Sequence, residues 1–405
     1  MINKTTLSGG AGLGALLALS LGASAQAQDT TTVWQGAPRF SNEALTFKVR
    51  GRVYEDYVRQ DVNREVGVDF KASNTRLRTA RLGVEGTWNA DWAYKAEVTL
   101  ASAGGTTQWE DLTLEYKPNE YTSILAGNFK TVSLENINSS RYNTFMERGA
   151  YNDFIDAGRV MNVQVKTNGL NWTAAVAVSG DSLNAPDVAT NASTGSREVI
   201  GFNGRATYSP ILTDFTTVHL GVWARRRNRE DQANFTYQVR NNTNYGARYV
   251  TSGAIGVQDT MVGLEGVWIH KAFSLQGEWA NAKVDRAGIA PSVDFQGYYV
   301  AASWYLTGET RRFEAFKGEF NRTRILNPVT AGGFGAVELA VRYDNIDLKE
   351  LAGAGEYSGW TFGANWHPHP YVRLQANYTM SKNNNPAVGA DVDVDTLQFR
   401  AQFDF

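Results

Sequence analysis

The chain has 405 residues, 20% of them charged, with a formal net charge of −2 and no cysteine. This charge balance is not the strongly basic one that nucleic-acid-binding proteins show, so we expect no nucleic-acid partner. Because cysteine is absent, an exported fold would have to hold together without disulfides.

The first 27 residues carry the three parts of a secretory signal peptide. A short basic start precedes an apolar stretch from Ala11 to Ala23, and Ala25-Gln26-Ala27 forms an A-x-A cleavage pattern. The apolar stretch is shorter than the roughly 20 residues that span a bilayer as a helix. A buried N-terminal helix is the alternative interpretation. We therefore predict a signal peptide at 1–27 and a short N-terminal periplasmic segment at 28–44.

Apolar and polar residues alternate along many segments of the remaining chain, most clearly along the last one, Thr396–Phe405. Successive side chains of a strand point to opposite faces, so one face of each segment is apolar and the other polar. Such segments are the sequence signature of a transmembrane barrel. The pattern predicts strands at 45–57, 76–88, 92–100, 109–116, 121–130, 161–167, 170–178, 200–208, 216–225, 259–270, 272–282, 295–306, 334–345, 358–367, 371–380 and 395–405.

These sixteen segments predict an all-β fold, a transmembrane antiparallel β-barrel of the bacterial outer-membrane porin type, at residues 45–405. An even number agrees with single-chain bacterial barrels, and we leave residues 313–320 out as a strand partly for that reason. The chain ends on an aromatic residue, Phe405, as the signal for the barrel-assembly machinery does. We therefore expect that machinery as a partner, together with outer-membrane lipid and lipopolysaccharide.

The connections between the predicted strands alternate in length. If the N-terminus lies in the periplasm, short periplasmic turns alternate with longer connections on the outer side. Residues 307–333 break this rule: either the connection is an unusual turn folded into the lumen, or the count is off by one hairpin. Residues 131–160 are long enough for a constriction loop inside the barrel. The longer outer connections are predicted at 58–75, 131–160, 179–199 and 226–258.

Charged residues on the inward face decide what passes a barrel of this width. We count ten inward cations against eight inward acids, so local clusters rather than the whole wall should set selectivity. One cluster is a ladder along the first strand, and a second stands where a strand enters a long loop. Together with Lys130, these clusters give the predicted channel-lining, anion-binding residues: Lys48, Arg50, Arg52, Arg225, Arg227, Arg229 and Lys130.

Arginine stays charged at any relevant pH, and its planar fork of donors matches phosphate oxygens. Rings of Arg or Lys are the usual device of anion and phosphate pores. The sequence therefore predicts a pore that prefers anions. The alternative for the loop arginines is that they bridge lipopolysaccharide at the outer surface or are simply solvated.

Four stretches of this chain resemble the phosphate-selective porins O and P. They are Arg78–Gly86, Ser140–Arg148, Tyr299–Glu309 and Val337–Tyr343, and the resemblance covers roughly residues 45–405. It implies a sixteen-stranded trimeric porin that takes up phosphate or polyphosphate through an arginine ladder and a lysine/arginine constriction. The two cation clusters named above come from the alternation and not from the resemblance.

Three other functions remain open from the sequence. A general, non-specific porin would have the same barrel. An outer-membrane barrel enzyme would need a nucleophile beside an oriented base, and none of the four histidines stands in a recognisable Ser/His/acid arrangement. A structural or adhesive barrel would have a plugged lumen. We find no metal motif, phosphate-cradling glycine loop or cofactor box, so we expect no cofactor and no enzymatic activity.

Overall fold

The computed structural model describes residues 31–34, 36–102, 105, 107–185, 198–229, 235–384 and 390–405, so the predicted signal peptide lies outside the described residues. Within these residues, two short helices, α1 (Leu134–Ile137) and α2 (Ala150–Phe154), and a 3-10 turn at Val329–Ala331 accompany the strands. No helix in the described part of the chain is long and apolar enough to cross a membrane. The strands are β1 (Thr31–Trp34), β2 (Pro38–Ser41), β3 (Leu45–Arg64), β4 (Phe70–Trp88), β5 (Trp92–Ser102), β6 (Gln108–Asn119), β7 (Thr122–Phe129), β8 (Val160–Asn168), β9 (Trp172–Ser179), β10 (Ile200–Leu212), β11 (Thr216–Asn228), β12 (Phe235–Val239), β13 (Val250–His270), β14 (Phe273–Arg286), β15 (Val293–Tyr305), β16 (Phe313–Glu314), β17 (Glu319–Phe320), β18 (Ala336–Asp347), β19 (Glu356–His369), β20 (Val372–Asn384) and β21 (Val392–Asp404).

Nineteen strands form one antiparallel sheet that closes on itself. Three of them, β1, β2 and β12, lie outside the ring, because β1 pairs with β2, β2 with the start of β3, and β12 with β13. The other sixteen pair in chain order, and β21 closes the ring against β3. All sixteen predicted strands are confirmed. Residues 313–320 contribute no barrel strand, as predicted, since β16 and β17 form a separate hairpin.

The alternation places the predicted apolar rows on the outside of the barrel. In β21, Phe399 and Phe403 are exposed by 47% and 43%, whereas Gln398 and Gln402 are buried. An apolar outer row and a polar inner row are what a strand needs when lipid covers one face and a polar lumen lies behind the other.

The loop ends of β14 and β15 reverse this pattern. Ala282, Val284 and Phe295 point inward and are fully buried, while Lys283 and Asp294 between them are exposed on the outside. These strand ends have a polar outer face and an apolar inner face. They therefore pack against protein inside the barrel rather than lining an aqueous lumen.

One end of the barrel carries mostly short turns, and this end faces the periplasm in outer-membrane barrels. The β13–β14 turn, for example, has two residues between its strands. At the other end, the structure corrects two predicted loops. Strands β3 and β4 continue to Arg64 and from Phe70, so the predicted 58–75 loop is mostly a strand hairpin whose outer face carries the Arg59–Asp61 ion pair. The predicted 226–258 loop shortens to 229–249 and contains β12.

In the described part of the chain, three connections fold into the lumen: 130–159 and 235–249 from the outer end, and 306–335 from the periplasmic end. Side chains of α2 and β12 pack on the inner face of β15, with Phe154, Tyr237 and Phe295 all fully buried. The ring of Tyr237 lies 5.3 Å from that of Phe295 and 6.1 Å from that of Phe154. A hydrophobic core therefore fills the lumen beside β13–β15, and the aqueous space is displaced toward β4–β11.

Candidate channel and its charged lining

The segment 130–159, here called the constriction loop, leaves β7 and is anchored by a buried carboxylate on β14. One oxygen of Glu278 accepts hydrogen bonds from Ser133 Oγ at 2.7 Å and Leu134 N at 3.0 Å. The other oxygen accepts from Glu135 N at 2.7 Å and from the Tyr299 hydroxyl at 3.0 Å. These four donors fix the start of α1 against the wall. The length-based prediction of a constriction loop is thus matched by a loop that enters the lumen.

The far end of the constriction loop reaches the opposite wall. Glu147 accepts from Arg78 at 2.7 and 2.9 Å and from Arg400 at 2.7 Å. Arg400 also donates to Asp56 on β3 at 2.7 and 2.8 Å. Burial alone would raise the pKa of Glu147, but the two guanidinium groups outweigh it and hold that pKa well below its usual range. The loop is therefore tied across the lumen by charge-assisted hydrogen bonds.

The long connection between β15 and β18 folds into the periplasmic end of the lumen. Arg205 on β10 donates to Gly318 O at 2.8 Å, and Lys166 on β8 donates to Lys317 O at 3.0 Å. Phe313 and Phe320 are buried against Leu134 of the constriction loop. Of the two readings of residues 307–333, the lumen-folded turn is the correct one, and the strand count stands.

A cavity of about 620 Å³ opens between the constriction loop and the loop ends of β4, β6 and β8–β12. We call it the vestibule. Among the lining residues that the structure describes, three are acids, Glu110, Asp156 and Asp181, and twice as many are cations. Those six cations are Arg81, Lys130, Arg159, Arg225, Arg227 and Arg229.

Four of the seven predicted anion-binding residues meet in this vestibule: Lys130, Arg225, Arg227 and Arg229. The prediction did not foresee how two of them are held. Arg227 lies 2.6 Å from an oxygen of Asp259 and 2.9 Å from one of Asp156, and Arg225 lies 3.4 Å from the same oxygen of Asp259. Both arginines thus face the vestibule while bound to acids of the protein.

Lys130 begins the constriction loop and lies deep in the vestibule wall. Its ammonium donates to Asn136 O at 3.2 Å. Burial lowers the pKa of Lys130 well below its usual range, and the positive charges of Arg148 and Arg159 add to this effect. Lys130 therefore loses its charge at a lower pH than an ordinary lysine does.

The other predicted cluster, the ladder Lys48, Arg50 and Arg52, stands on the inner wall away from the vestibule. Arg50 and Arg52 are buried, and each binds Glu97, at 3.0 and 3.1 Å. The ladder and the vestibule are connected through Arg81, which lies 3.5 Å from Glu97 and 2.6 Å from Glu110. The structure does not bring the two predicted clusters into one site, but it links them by a chain of ion pairs.

Two vestibule cations were missed from the sequence as site residues. They are Arg81 on β4 and Arg159 at the end of the constriction loop. Arg159 binds both Glu110 and Asp111, each at 2.6 Å. The signal available in the sequence was the position of Arg159 directly before β8, at the end of a loop long enough to enter the lumen.

One arrangement of side chains resembles a catalytic triad. The Nε2 atom of His219 lies 2.9 Å from Glu265, and its Nδ1 atom lies 3.4 Å from Ser209 Oγ. This grouping was not predicted from the sequence. All three residues are buried, the ring of Phe313 lies 4.5 Å from that of His219, and Arg205 also binds Glu265 at 2.5 Å. Because all three side chains are buried, the grouping is a polar contact between β10, β11 and β13. Among the described residues, no group of three or more potential ligands stands where it could hold a metal ion.

A ring of sixteen antiparallel strands with loops folded into its lumen defines the class of outer-membrane porins. The chain belongs to the phosphate-selective porin O and P family, whose model matches residues 47–405. It is therefore a porin of the bacterial outer membrane. Porin O of Pseudomonas aeruginosa is 25% identical over 441 residues, which covers 94% of this chain and 97% of that protein. An uncharacterized protein of Caulobacter vibrioides is 27% identical over 358 residues, covering 86% of this chain and 71% of that one.

Solved structures agree on the fold. An anion-selective porin from Comamonas acidovorans superposes with a TM-score of 0.54 at 15% identity, covering 89% of this chain and 100% of that one. A loop-deletion mutant of OmpT, an outer membrane protein of Vibrio cholerae, gives 0.58 at 14% identity, with the same coverage of both chains. At these identities the likeness supports the barrel architecture alone.

Proposed function

We propose that this porin prefers anions to cations and that phosphate or polyphosphate is among the solutes it carries. The observation that carries the proposal is the vestibule, where six cations face three acids among the described lining residues. Five of the six are arginines, which keep their charge and present donors in the geometry of phosphate oxygens. Membership in a family described as phosphate-selective supports the choice of anion.

The proposal requires ions to pass within a short distance of the charged vestibule wall. Charges in open solution are screened over about 8 Å at physiological salt, so a basic patch on a wide mouth selects little. Here the constriction loop and the hydrophobic core narrow the lumen, and ions have to pass close to the vestibule wall. An excess of cations close to the ion path can then favour anions, even though the charges of the whole inner wall nearly cancel.

The barrel is also proposed to assemble as a homotrimer in lipid and lipopolysaccharide. One solved structure of OmpT from Vibrio cholerae is described as a trimer form, at 13% identity and a TM-score of 0.55. The exposed apolar rows on the outer face supply surface for both lipid and neighbouring subunits.

The experiment is the reversal potential of the purified porin in a planar bilayer under a KCl gradient, followed by block of the chloride current with inorganic phosphate. We expect an anion-selective wild type and a shift toward non-selectivity in the triple variant Arg225→Ala, Arg227→Ala, Arg229→Ala. Arg226→Ala is the matched control, because Arg226 is on the same strand but is exposed on the outer face.

The outcomes separate the candidate functions. A cation-selective wild type would overturn the anion proposal. A wild type without preference would indicate a general porin. An anion-selective wild type that the triple variant leaves unchanged would keep the function and show that other residues, such as the ladder of Lys48, Arg50 and Arg52, carry it.

A further inference from the structure

We infer that two acids of the protein, Asp259 and Asp156, set how strongly the vestibule attracts anions, because they occupy the guanidinium donors that a passing anion would use. The inference rests on the proposed function. Asp259 is fully buried on β13, directly opposite Arg227 in the β11–β13 register. Asp156 is in the constriction loop, with its side chain 49% exposed.

All three guanidinium nitrogens of Arg227 donate hydrogen bonds within the protein. Its Nε and Nη2 atoms donate to Asp259 at 3.1 and 2.6 Å, and its Nη1 atom donates to the Asp156 carboxylate at 2.9 Å. The guanidinium also lies 4.2 Å from the centre of the Phe235 ring. A phosphate oxygen that approaches Arg227 therefore finds guanidinium donors that already bind carboxylate oxygens.

Arg225 is held in a similar way, though less tightly. Its Nη2 atom is 3.4 Å from Asp259, and its Nη1 atom donates to the backbone oxygen of Asp156 at 3.2 Å. Two arginines and two acids form a group of zero net charge. The vestibule thus contains cations whose attraction for anions is reduced by acids placed behind and beside them.

The Tyr237 hydroxyl, which donates to Asp259 at 2.6 Å, helps to hold this acid in place. The alternative role for Asp259 is purely structural: it positions the two arginines and has no effect of its own on selectivity. The two roles differ in sign. If Asp259 weakens the anion site, removing its charge should increase anion preference. If Asp259 only positions the arginines, removing it should disorder them and decrease anion preference.

The experiment compares Asp259→Asn, Asp156→Asn and the double variant with wild type by reversal potential under a KCl gradient. For each single variant we expect about a twofold rise in the ratio of anion to cation permeability, which is the effect of a unit charge acting across roughly 8 Å of screened water. The double variant should rise further. Phosphate should also block the chloride current at lower concentration, because guanidinium donors of Arg227 that the removed carboxylate occupied become available to it.

Asp285→Asn is the matched control. It removes the same charge at the same end of the barrel, but Asp285 is on the neighbouring strand and binds Gln258 and Ser292, away from the vestibule. Tyr237→Phe tests the positioning of Asp259 without any change of charge. We expect Asp285→Asn to leave the permeability ratio unchanged, and a fall of that ratio in Tyr237→Phe would favour a purely structural role for Asp259 and count against the inference.

A wild type without anion preference would refute the proposed function itself. An anion-selective wild type whose ratio stays constant or falls in Asp259→Asn and Asp156→Asn would refute this inference and leave the function intact. If Asp259→Asn fails to assemble, the result for Asp156→Asn alone tests the inference. The Asp156 side chain is half exposed, so this substitution buries no new group.

Discussion

The tie between the tip of the constriction loop and the barrel wall can be broken by one isosteric change, Glu147→Gln. The glutamate side chain is only 13% exposed and binds Arg78 and Arg400. Glutamine keeps the shape and one acceptor oxygen, but it removes the charge that compensates the two guanidinium groups. Arg400 keeps its second partner, Asp56, whereas Arg78 loses its carboxylate.

The cost follows from this geometry. Removing one partner of a buried ion pair typically costs about 3–5 kcal/mol, and the oxygen that glutamine retains favours the lower end. A loss of about 3 kcal/mol raises the population of an undocked loop tip by about a hundredfold. The barrel itself should survive, because its strands and the Glu278 anchor of α1 are untouched.

Single-channel recording in planar bilayers measures this change. We expect Glu147→Gln to show larger conductance or more frequent fluctuations between current levels, with a normal shift between folded and heat-denatured bands on a gel. Glu120→Gln, in an exposed periplasmic turn, is the control and should behave as wild type. Identical current traces for Glu147→Gln and wild type would refute the view that this ion-pair group holds the constriction.

Two further predictions use other parts of the molecule. Because burial lowers the pKa of Lys130 well below the ordinary lysine value, its charge is lost as the pH rises through that lowered pKa, and anion preference should fall within the range below about 10. Reversal potentials measured across that range should show the fall, and Lys130→Arg should abolish it; a pH-independent wild type would contradict the role of Lys130. Deletion of Phe405 should lower the amount of assembled barrel, because its backbone exchanges two 3.0 Å hydrogen bonds with Gly51 and its aromatic end resembles the assembly signal. Phe405→Tyr should assemble normally, and unchanged barrel levels after the deletion would count against this prediction.

The barrel could be predicted from the sequence because each strand carries its own pattern. In β21, the exposed Phe399 and the buried Gln398 follow from their positions alone, whatever the rest of the chain does. Lipid requires an apolar outer face along the whole barrel, so the same local pattern recurs in strand after strand. The ends of β3 and β4 were missed because, beyond the membrane, this requirement no longer applies.

The inside of the barrel could be predicted only in part. Ala282 and Val284 reverse the alternation of β14, which is visible in the sequence, but what they pack on comes from α2 and β12, far along the chain. The anchor of the constriction loop also joins distant residues, since Ser133 and Glu278 are 145 positions apart. Such contacts depend on how loops fold into the lumen, and no local pattern encodes that.

The partners of the predicted arginines show the same limit and explain why counting charges predicts selectivity poorly. Arg227 and Asp259 become neighbours only through the β11–β13 register, which spans a loop whose path the alternation does not give. A buried guanidinium without a partner is costly, so a narrow lumen rich in arginine has to contain acids as well. The nearly equal numbers of inward cations and acids are therefore a condition for folding the pore. Selectivity then depends on which member of each pair faces the ions, and in the vestibule Arg227 faces the cavity while Asp259 is fully buried behind it.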